Sequence, residues 1–343
     1  MNCCTNCIGD RHLRKDIFIS PGNEKGVCEY CGSVGQFVVD ASLLKNSFVP
    51  LLDCYTDDPH GQPLAELFMD DWAMFSHENM TVERSKALLA DIYDDNDLAQ
   101  RKFSPIDNLG TSSLDIWDNF KKELMHENRF FPKEILDPER LAEWLYLLKY
   151  TSKDYLADGI HQWHRARIQK GGVDFTADKM GAPPKELASH GRANPAGIPY
   201  LYLASNDITA VSEIRPHTGE VVSVAQFSIH DDLEIIDLAN PRKTVTPFQL
   251  AEESTLVSLR ENIGFLEQLG NELKRPVLPH TAAIDYIPSQ YLCEFVKKRG
   301  YDGVMYQSSV GDGVNIALFN THDAIVGDVV RRTVSRVAVE LGE

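Results

Sequence analysis

Side chains that can bind an anion recur in the second half of the sequence. Arginines occur in HRARIQ (164–169) and GRANPAGIPYLYLAS (191–205), and ITAVSEIRPHTGE (208–220) adds a glutamate and a further arginine. A guanidinium binds phosphate through paired hydrogen bonds, and a tyrosine near a carboxylate suits a planar ring joined to a sugar. The pattern predicts a site for a phosphate-bearing ligand. Each arginine alone could instead form a surface ion pair, and Glu213 could cap a helix or pair with Arg215.

A glycine-rich loop precedes the strand-like segment LYLAS (201–205). Gly191 and Gly197 allow the backbone to approach a ligand closely, and Asn194 tolerates the left-handed conformation. The segment GYDGVMYQSSVGDGVNIALF (300–319) adds two serines. The candidate binding residues in these stretches are Arg165, Arg167, Arg192, Asn194, Tyr202, Arg215, Ser308 and Ser309.

Five of the seven cysteines lie within the first 31 residues. Cys4 and Cys7 form one C-x2-C pair, and Cys28 and Cys31 form another after twenty intervening residues. Each pair can direct two thiolates at one ion, so the spacing predicts a closed, structural four-cysteine zinc site. Cys3 could replace Cys4 as a ligand, and a redox-active or incidental thiol cluster is the alternative.

The composition excludes several classes of protein. The chain has 343 residues and a formal net charge of −17, which argues against general binding to nucleic acid or to anionic lipid. No apolar run of membrane-spanning length and no signal-like N-terminus is present, so we expect a cytoplasmic protein with reduced thiols. The P-loop, G-x-S-x-G and H-E-x-x-H motifs are absent, which disfavours a hydrolase triad or a catalytic metal.

The elements that must position these residues predict an α+β fold in three parts. Residues 1–40 form a zinc-ribbon-like module, 41–158 a helical domain and 159–343 a mixed β domain. Helix signals dominate residues 41–160, which carry a net charge of −11. In the third part, hydrophobic patterning predicts strands at 201–205, 221–229, 233–239, 303–307, 315–319 and from Val329 onward, and helices at 247–273 and 288–298.

Taken together, the stretches from about residue 160 to 325 resemble the RES domain family, named for its Arg, Glu and Ser residues. The family consists of toxins of toxin–antitoxin systems and related proteins. The resemblance implies a fold similar to ADP-ribosyltransferases and the degradation of NAD. Its catalytic residues match Arg165, with Arg167 as the rival assignment, Tyr202, Glu213, and Ser308, with Ser309 as the rival.

The resemblance also implies a mechanism, in which the nicotinamide–ribose bond breaks through an oxocarbenium-like state. Glu213 would favour the ribose cation, Arg165 would grip the pyrophosphate, Tyr202 would stack on nicotinamide, and Ser308 would hydrogen-bond nicotinamide or its ribose. The acceptor is phosphate, as in an NAD phosphorylase, or water, as in an NAD glycohydrolase. The alternatives are modification of a protein target and a non-catalytic sensor of NAD or ADP-ribose.

The N-terminal half resembles the zinc-bearing, HEPN-like helical extensions that precede some RES domains. Many HEPN ribonucleases carry R-x4–6-H, and the arginines between residues 41 and 160 have no histidine at those offsets. A scaffolding or partner-binding role is therefore expected for this segment, within a toxin or anti-phage defence effector. The expected partners are NAD and an antitoxin or regulatory protein, and a homo-oligomer is left open.

Overall fold

The computed structural model describes residues 1–75, 78–107, 113–133, 136–157, 159–169, 171–249, 253–278 and 280–338. The chain divides into two compact units, each built from two segments. The first unit comprises Met1–Ser113 and Pro241–Phe265, and the second comprises Leu114–Asn240 and Leu266–Glu343. The domain boundaries expected at residues 40 and 158 remain predictions.

The strands of the described residues are β1 Asn2–Cys4, β2 Lys25–Val27, β3 Val34–Asp40, β4 Tyr55–Pro63, β5 Lys102–Pro105, β6 Lys149–Tyr150, β7 Trp163–Ile168, β8 Leu201–Ala204, β9 Val221–Ile229, β10 Ile235–Asp237, β11 Gly303–Gln307, β12 Val314–Leu318 and β13 Ala324–Thr333. Short helical turns occur at Arg14–Phe18, Ala41–Leu44, Ala177–Lys179, Lys185–Leu187 and Pro247–Gln249.

The α-helices of the described residues are α1 Arg11–Leu13, α2 Lys45–Leu52, α3 Leu64–Trp72, α4 Val82–Tyr93, α5 Ser113–His126, α6 Pro138–Tyr146, α7 Ser152–Ala157, α8 Asp207–Glu213, α9 Pro241–Thr244, α10 Glu253–Lys274, α11 Ala282–Asp285 and α12 Ile287–Lys298. None of the helices among these residues is both long enough and apolar enough to cross a membrane.

The first unit contains two small antiparallel sheets and several helices. The strands β1, β3 and β2 form one sheet in that order, and β4 pairs with β5. Local sequence sets the helix starts, since the Thr81 side chain accepts a hydrogen bond from the backbone N of Arg84 at 3.3 Å and so caps α4. The Phe48 ring packs 6.2 Å from the Phe68 ring and 5.3 Å from the Phe248 ring.

The second unit is built on an eight-stranded mixed sheet with the order β13-β9-β7-β8-β12-β11-β10-β6. Only the β10–β11 pair among these strands is parallel, and every other neighbouring pair is antiparallel. Strand β7 lies between β9 and β8, so residues far apart in sequence meet at the centre of the sheet.

Alternation along β8 assigns its side chains to two buried clusters. Leu201 and Leu203 pack in one cluster with Trp163. Ala204 packs in the other, which includes Ala210 of α8. Because successive side chains of a strand point to opposite faces, α8 covers the face opposite Leu203.

The predicted strands are confirmed in the second unit, with differences at their ends. The last strand begins at Ala324 rather than Val329, and the strand expected at 233–239 is confined to Ile235–Asp237. Strand β7 was not predicted, because its run of His and Arg lacks the apolar pattern of a strand. In the helix predicted at 247–273, a short turn ends at Gln249 and α10 begins at Glu253, while residues 250–252 lie outside the described residues.

Candidate active site

A cavity of about 310 Å³ lies within the second unit, where β7, β8, β11, β12 and α8 meet. Four of the residues predicted for catalysis or binding line it, namely Arg165, Arg192, Tyr202 and Glu213. The other lining residues are His164, Ala166, Gly191, Leu203, Ala204, Ala210, Ile214, Tyr286, Tyr306 and Asn315.

Glu213 ends α8 and is held from two sides. The helix begins because the Asn206 side chain accepts a hydrogen bond from the backbone N of Thr209 at 2.7 Å. The Oε1 atom of Glu213 accepts hydrogen bonds from Ser308 Oγ at 2.7 Å and from Asn315 Nδ2 at 2.6 Å. The salt bridges between described residues do not include one from Glu213 to Arg215. The carboxylate is therefore fixed at the cavity wall by neutral donors.

Arg165 is a cation that lines the same cavity as the Glu213 carboxylate. Its Nη1 atom donates to the backbone O of Tyr202 at 2.8 Å, and its buried Nε atom has no hydrogen-bond partner among the described residues. Burial, together with the charge of Arg167, lowers the pKa of Arg165 to about 10, so the side chain stays charged at neutral pH. A buried cation without a carboxylate partner is costly, and an anion in the cavity would relieve that cost.

The other three candidate arginines differ in position. Arg192 lines the cavity, and its guanidinium donates to Leu273 O at 3.0 Å and to Ser309 Oγ at 2.9 Å. Arg167 donates to Gly181 O at 2.8 Å and is not among the lining residues. Arg215 is exposed and lines a different cavity. The structure therefore brings Arg165 and Arg192 together, and it separates Arg215 from them.

Tyr202 fastens the glycine-rich loop to the sheet. Its hydroxyl donates to Asn194 Oδ1 at 2.6 Å and accepts from the backbone N of Ala193 at 3.1 Å. Gly191 lies so close that a Cβ atom there would come within 2.3 Å of Asn194 Oδ1. Asn194 Nδ2 donates to three backbone carbonyls of the same loop. Burial raises the pKa of Tyr202, so its hydroxyl keeps its proton.

Substituting Tyr202 with phenylalanine is expected to lower the free energy of unfolding by about 1–3 kcal/mol, because a buried acceptor on Asn194 and a buried donor on Ala193 lose their partner. Urea denaturation followed by tryptophan fluorescence measures the change. Tyr146→Phe is the matched control, because Tyr146 is 63% exposed. Equal denaturation midpoints for the two variants would contradict the anchoring role.

The serines lie behind the cavity wall rather than on it. Ser308 is buried and contacts Glu213, whereas Ser309 contacts Arg192. Neither is among the lining residues of the cavity. Each serine therefore contacts a charged side chain that lines the cavity, but does not line the cavity itself.

Several lining residues were not predicted from the sequence. Asn315 and Tyr306 face each other in the β11–β12 pairing, and their signal was only an alternating position in a strand. Tyr286 precedes α12, and its ring lies 5.9 Å from the Arg192 guanidinium carbon. Within the part of the chain that the structure describes, the buried Nδ1 atom of His164 has no hydrogen-bond partner, and burial lowers the pKa of this side chain.

The four predicted metal ligands cluster in the first unit. The Sγ atoms of Cys4, Cys7, Cys28 and Cys31 all lie within 4.8 Å of one another and are buried. A tetrahedral ion with Zn–S bonds of about 2.3 Å requires sulfur atoms about 3.8 Å apart, so the donor set fits zinc. Backbone N–H groups of Asn6 and Cys31 point at Cys4 Sγ and Cys28 Sγ, each at 3.4 Å. Such donors stabilise thiolates.

Cys3 is turned away from this cluster. Its Sγ atom lies 3.6 Å from the backbone O of Val39 in the neighbouring strand. The group of converging sulfur atoms contains Cys4 and not Cys3. The geometry therefore favours Cys4 over Cys3 as a ligand.

The chain was compared with solved structures, with proteins of curated function and with protein-family models. A chain of the solved M. tuberculosis MbcT–MbcA toxin–antitoxin complex is similar to this one with 15% identity and a TM-score of 0.31, over 57% of this chain and 93% of that chain. No protein of curated function matches the sequence significantly. The RES domain family model matches residues 162–339, which include every lining residue of the cavity. Since this match covers more than half of the chain, the protein belongs to the RES domain family.

Proposed function

We propose that the protein cleaves NAD between nicotinamide and ribose. The observation that carries this proposal is the Glu213 carboxylate, which two donors fix at the wall of a cavity that also holds Arg165 and Arg192. The substrate supplies the complementary chemistry, because NAD joins a cationic ring to a ribose and a pyrophosphate.

Glu213 would act on the ribose. Bond cleavage develops positive charge on the sugar ring, as in glycoside hydrolysis. Nicotinamide leaves as a neutral molecule and takes the bonding electron pair, so the step needs no general acid. The Oε1 atom of Glu213 is occupied by Ser308 and Asn315, which leaves Oε2 to bind a ribose hydroxyl and to stabilise the cation.

The arginines and tyrosines would hold the two halves of the substrate. Arg165 and Arg192 are suited to the pyrophosphate, because guanidinium groups pair with its oxygens. Tyr286 and Tyr306 offer ring surfaces to nicotinamide in addition to Tyr202. The cavity volume of about 310 Å³ is at the lower end for small-molecule sites, which suits the nicotinamide–ribose half of the dinucleotide.

Ser308 is proposed as a positioning residue. The sequence predicted that it would contact nicotinamide or ribose, but its hydroxyl donates to Glu213 and its backbone N donates to Gly313 O at 3.0 Å. It would orient the carboxylate so that Oε2 meets the ribose. Ser309 would orient the Arg192 guanidinium toward the pyrophosphate.

The acceptor is phosphate or water in this proposal. With phosphate, a phosphate oxygen bonds to the ribose carbon that nicotinamide leaves, and the product is a phosphorylated ADP-ribose. With water, the product is ADP-ribose, and one proton is released. Proton NMR of NAD incubated with the protein, with and without inorganic phosphate, identifies nicotinamide and the second product. Intact NAD under both conditions would reject the proposal.

Arg165→Lys is expected to raise KM for NAD by about tenfold or more, because lysine loses the paired hydrogen bonds to the pyrophosphate. Initial rates of nicotinamide release over a range of NAD concentrations measure it. Arg129→Lys, at an exposed position outside the cavity, controls for charge-preserving substitution. An unchanged KM would show that Arg165 does not contact the substrate.

We further propose that the activity serves a toxin whose effect a protein partner restrains, and that the four-cysteine cluster binds structural zinc. The family supports the first statement, and the converging thiols support the second. Expression of the protein should deplete cellular NAD and arrest growth, whereas expression of a Glu213→Gln variant should not. Growth arrest by both proteins would show that the toxicity does not depend on NAD cleavage.

A further inference from the structure

A second cavity, of about 650 Å³, lies in the second unit on the far side of α8. Apolar side chains form much of its wall, including Val211 of α8 and both Val222 and Val224 of β9. Three arginines, Arg215, Arg332 and Arg336, line it as well, together with one carboxylate, that of Asp207. We name this cavity the arginine groove. Its volume is within the range of ligand-binding sites.

The three arginines present unpaired positive charge. All are exposed, and the salt bridges between described residues include none of them. The adjacent Arg331 differs, since its guanidinium lies 3.8 Å from an Asp174 carboxylate oxygen. Three arginines and one carboxylate therefore give the described lining of this groove a net positive charge, whereas the chain as a whole has a net charge of −17.

The groove also exposes apolar surface. Ile208 is 74% exposed, Val337 46% and Val310 38%. All three line the groove. Removing such surface from water on binding is favourable. The groove therefore suits a ligand that carries both anionic groups and apolar side chains.

We propose that the arginine groove binds an acidic, apolar peptide segment of a partner protein. Carboxylates of the segment would pair with the guanidinium groups, which bind carboxylates through forked hydrogen bonds. Its apolar side chains would fill the space between Ile208 and the valines. Charge complementarity would direct encounter, and apolar burial would supply most of the affinity.

The groove and the candidate active site share α8 as a wall. Ala210, Glu213 and Ile214 line the active-site cavity, whereas Ile208, Val211 and Ser212 line the groove. These two sets lie on different faces of one helix. A segment wedged against the second face would shift Glu213 relative to Ser308 and Asn315. Binding would therefore slow NAD cleavage, and this regulatory part rests on the proposed function.

Selection from a display library of short random peptides on the full chain tests the binding. We expect enrichment of peptides that combine Asp or Glu with Leu, Ile or Val. The most enriched peptide, labelled with fluorescein, should bind the Arg332→Gln/Arg336→Gln variant about tenfold more weakly, because each exposed ion pair contributes up to about a factor of five.

A matched variant, Lys122→Gln/Lys185→Gln, removes two exposed charges that lie outside the groove, and it should bind the peptide like the wild type. Enrichment of basic or purely polar peptides, or equal affinity of both variants, would overturn the proposal. Ile208→Asp supplies a second test, since it should weaken binding without removing a cation.

The regulatory part is tested by nicotinamide release with saturating peptide. We expect saturating peptide to lower the rate of the wild type at least threefold, and we expect half-maximal inhibition of the Arg332→Gln/Arg336→Gln variant to require about tenfold more peptide. Bound peptide with an unchanged wild-type rate would overturn the coupling through α8. A protein that binds the peptide but never cleaves NAD would reject the proposed function and leave the binding site supported.

Discussion

Replacing Glu213 with glutamine is expected to lower kcat for NAD cleavage by a factor of about 100–1,000, the range found when one electrostatic contact to a transition state is removed. The substitution keeps the shape of the side chain and an oxygen that can accept from Ser308 and Asn315. It removes the negative charge that would stabilise the ribose cation. The effect should therefore fall on kcat, with KM for NAD nearly unchanged.

Two comparisons make this result specific. Glu186→Gln changes the same charge at an exposed position and should leave kcat unchanged. Ser308→Ala keeps the charge of Glu213 but removes one of its two donors, so a smaller loss of kcat is expected than for Glu213→Gln. Nicotinamide release at saturating NAD measures all three variants, and equal denaturation midpoints would show that the fold is intact. Full activity of Glu213→Gln would contradict the mechanism.

Part of the candidate site could be predicted because some of its signals are local. Arg192 and Asn194 lie in a glycine-rich loop whose close backbone approach requires Gly191. The Asn206 cap at the start of the short helix that ends at Glu213 is also a local signal, although that helix was not among the predicted ones. Such features depend on neighbours within a few residues. The family resemblance was needed to place Arg165 in the same site as Tyr202, Glu213 and Ser308, because these residues lie far from it in the sequence.

Contacts across the sheet could not be predicted in this way. Asn315 approaches Glu213 although the two are 102 positions apart in the chain. The pairing of β12 with β8 and β11 sets that distance, and the strand patterns do not reveal which strands are neighbours. Strand β7 was missed for a related reason. It is central, yet it carries Arg165 and Arg167, which the pattern of a buried strand does not include.

The position of Arg215 illustrates the same limit. In the sequence it is two residues after Glu213 and suits the same anion, so it was grouped with Arg165. In the structure the helix has ended, and Arg215 adopts a left-handed φ of 47° just beyond it. It therefore lines the arginine groove instead of the active-site cavity. The backbone conformation two residues past the end of α8 therefore decides which of the two cavities Arg215 lines.

Replacing Cys4 with serine is expected to lower the bound zinc from about one equivalent per chain to nearly none, because a closed structural site needs all four ligands. The first unit should then lose stability by several kcal/mol, since structural zinc contributes about 10–16 kcal/mol of binding free energy in isolated zinc-finger peptides. Elemental analysis of the purified protein gives the metal content. Hydrogen exchange over residues 1–40 reports the stability locally.

Cys3→Ser is the matched control because it alters the neighbouring cysteine. Cys3 is buried and outside the group of converging sulfur atoms, so this variant should retain one zinc even if its packing is disturbed. Loss of zinc from Cys3→Ser with retention in Cys4→Ser would reverse the ligand assignment. The metal site would be rejected by two findings together. The purified wild type would contain no zinc, and residues 1–40 would keep slow hydrogen exchange after treatment with a chelator. If the proposed NAD cleavage is observed, its rate in the Cys4→Ser variant reports independently whether the second unit is intact, because the cavity residues lie outside residues 1–40.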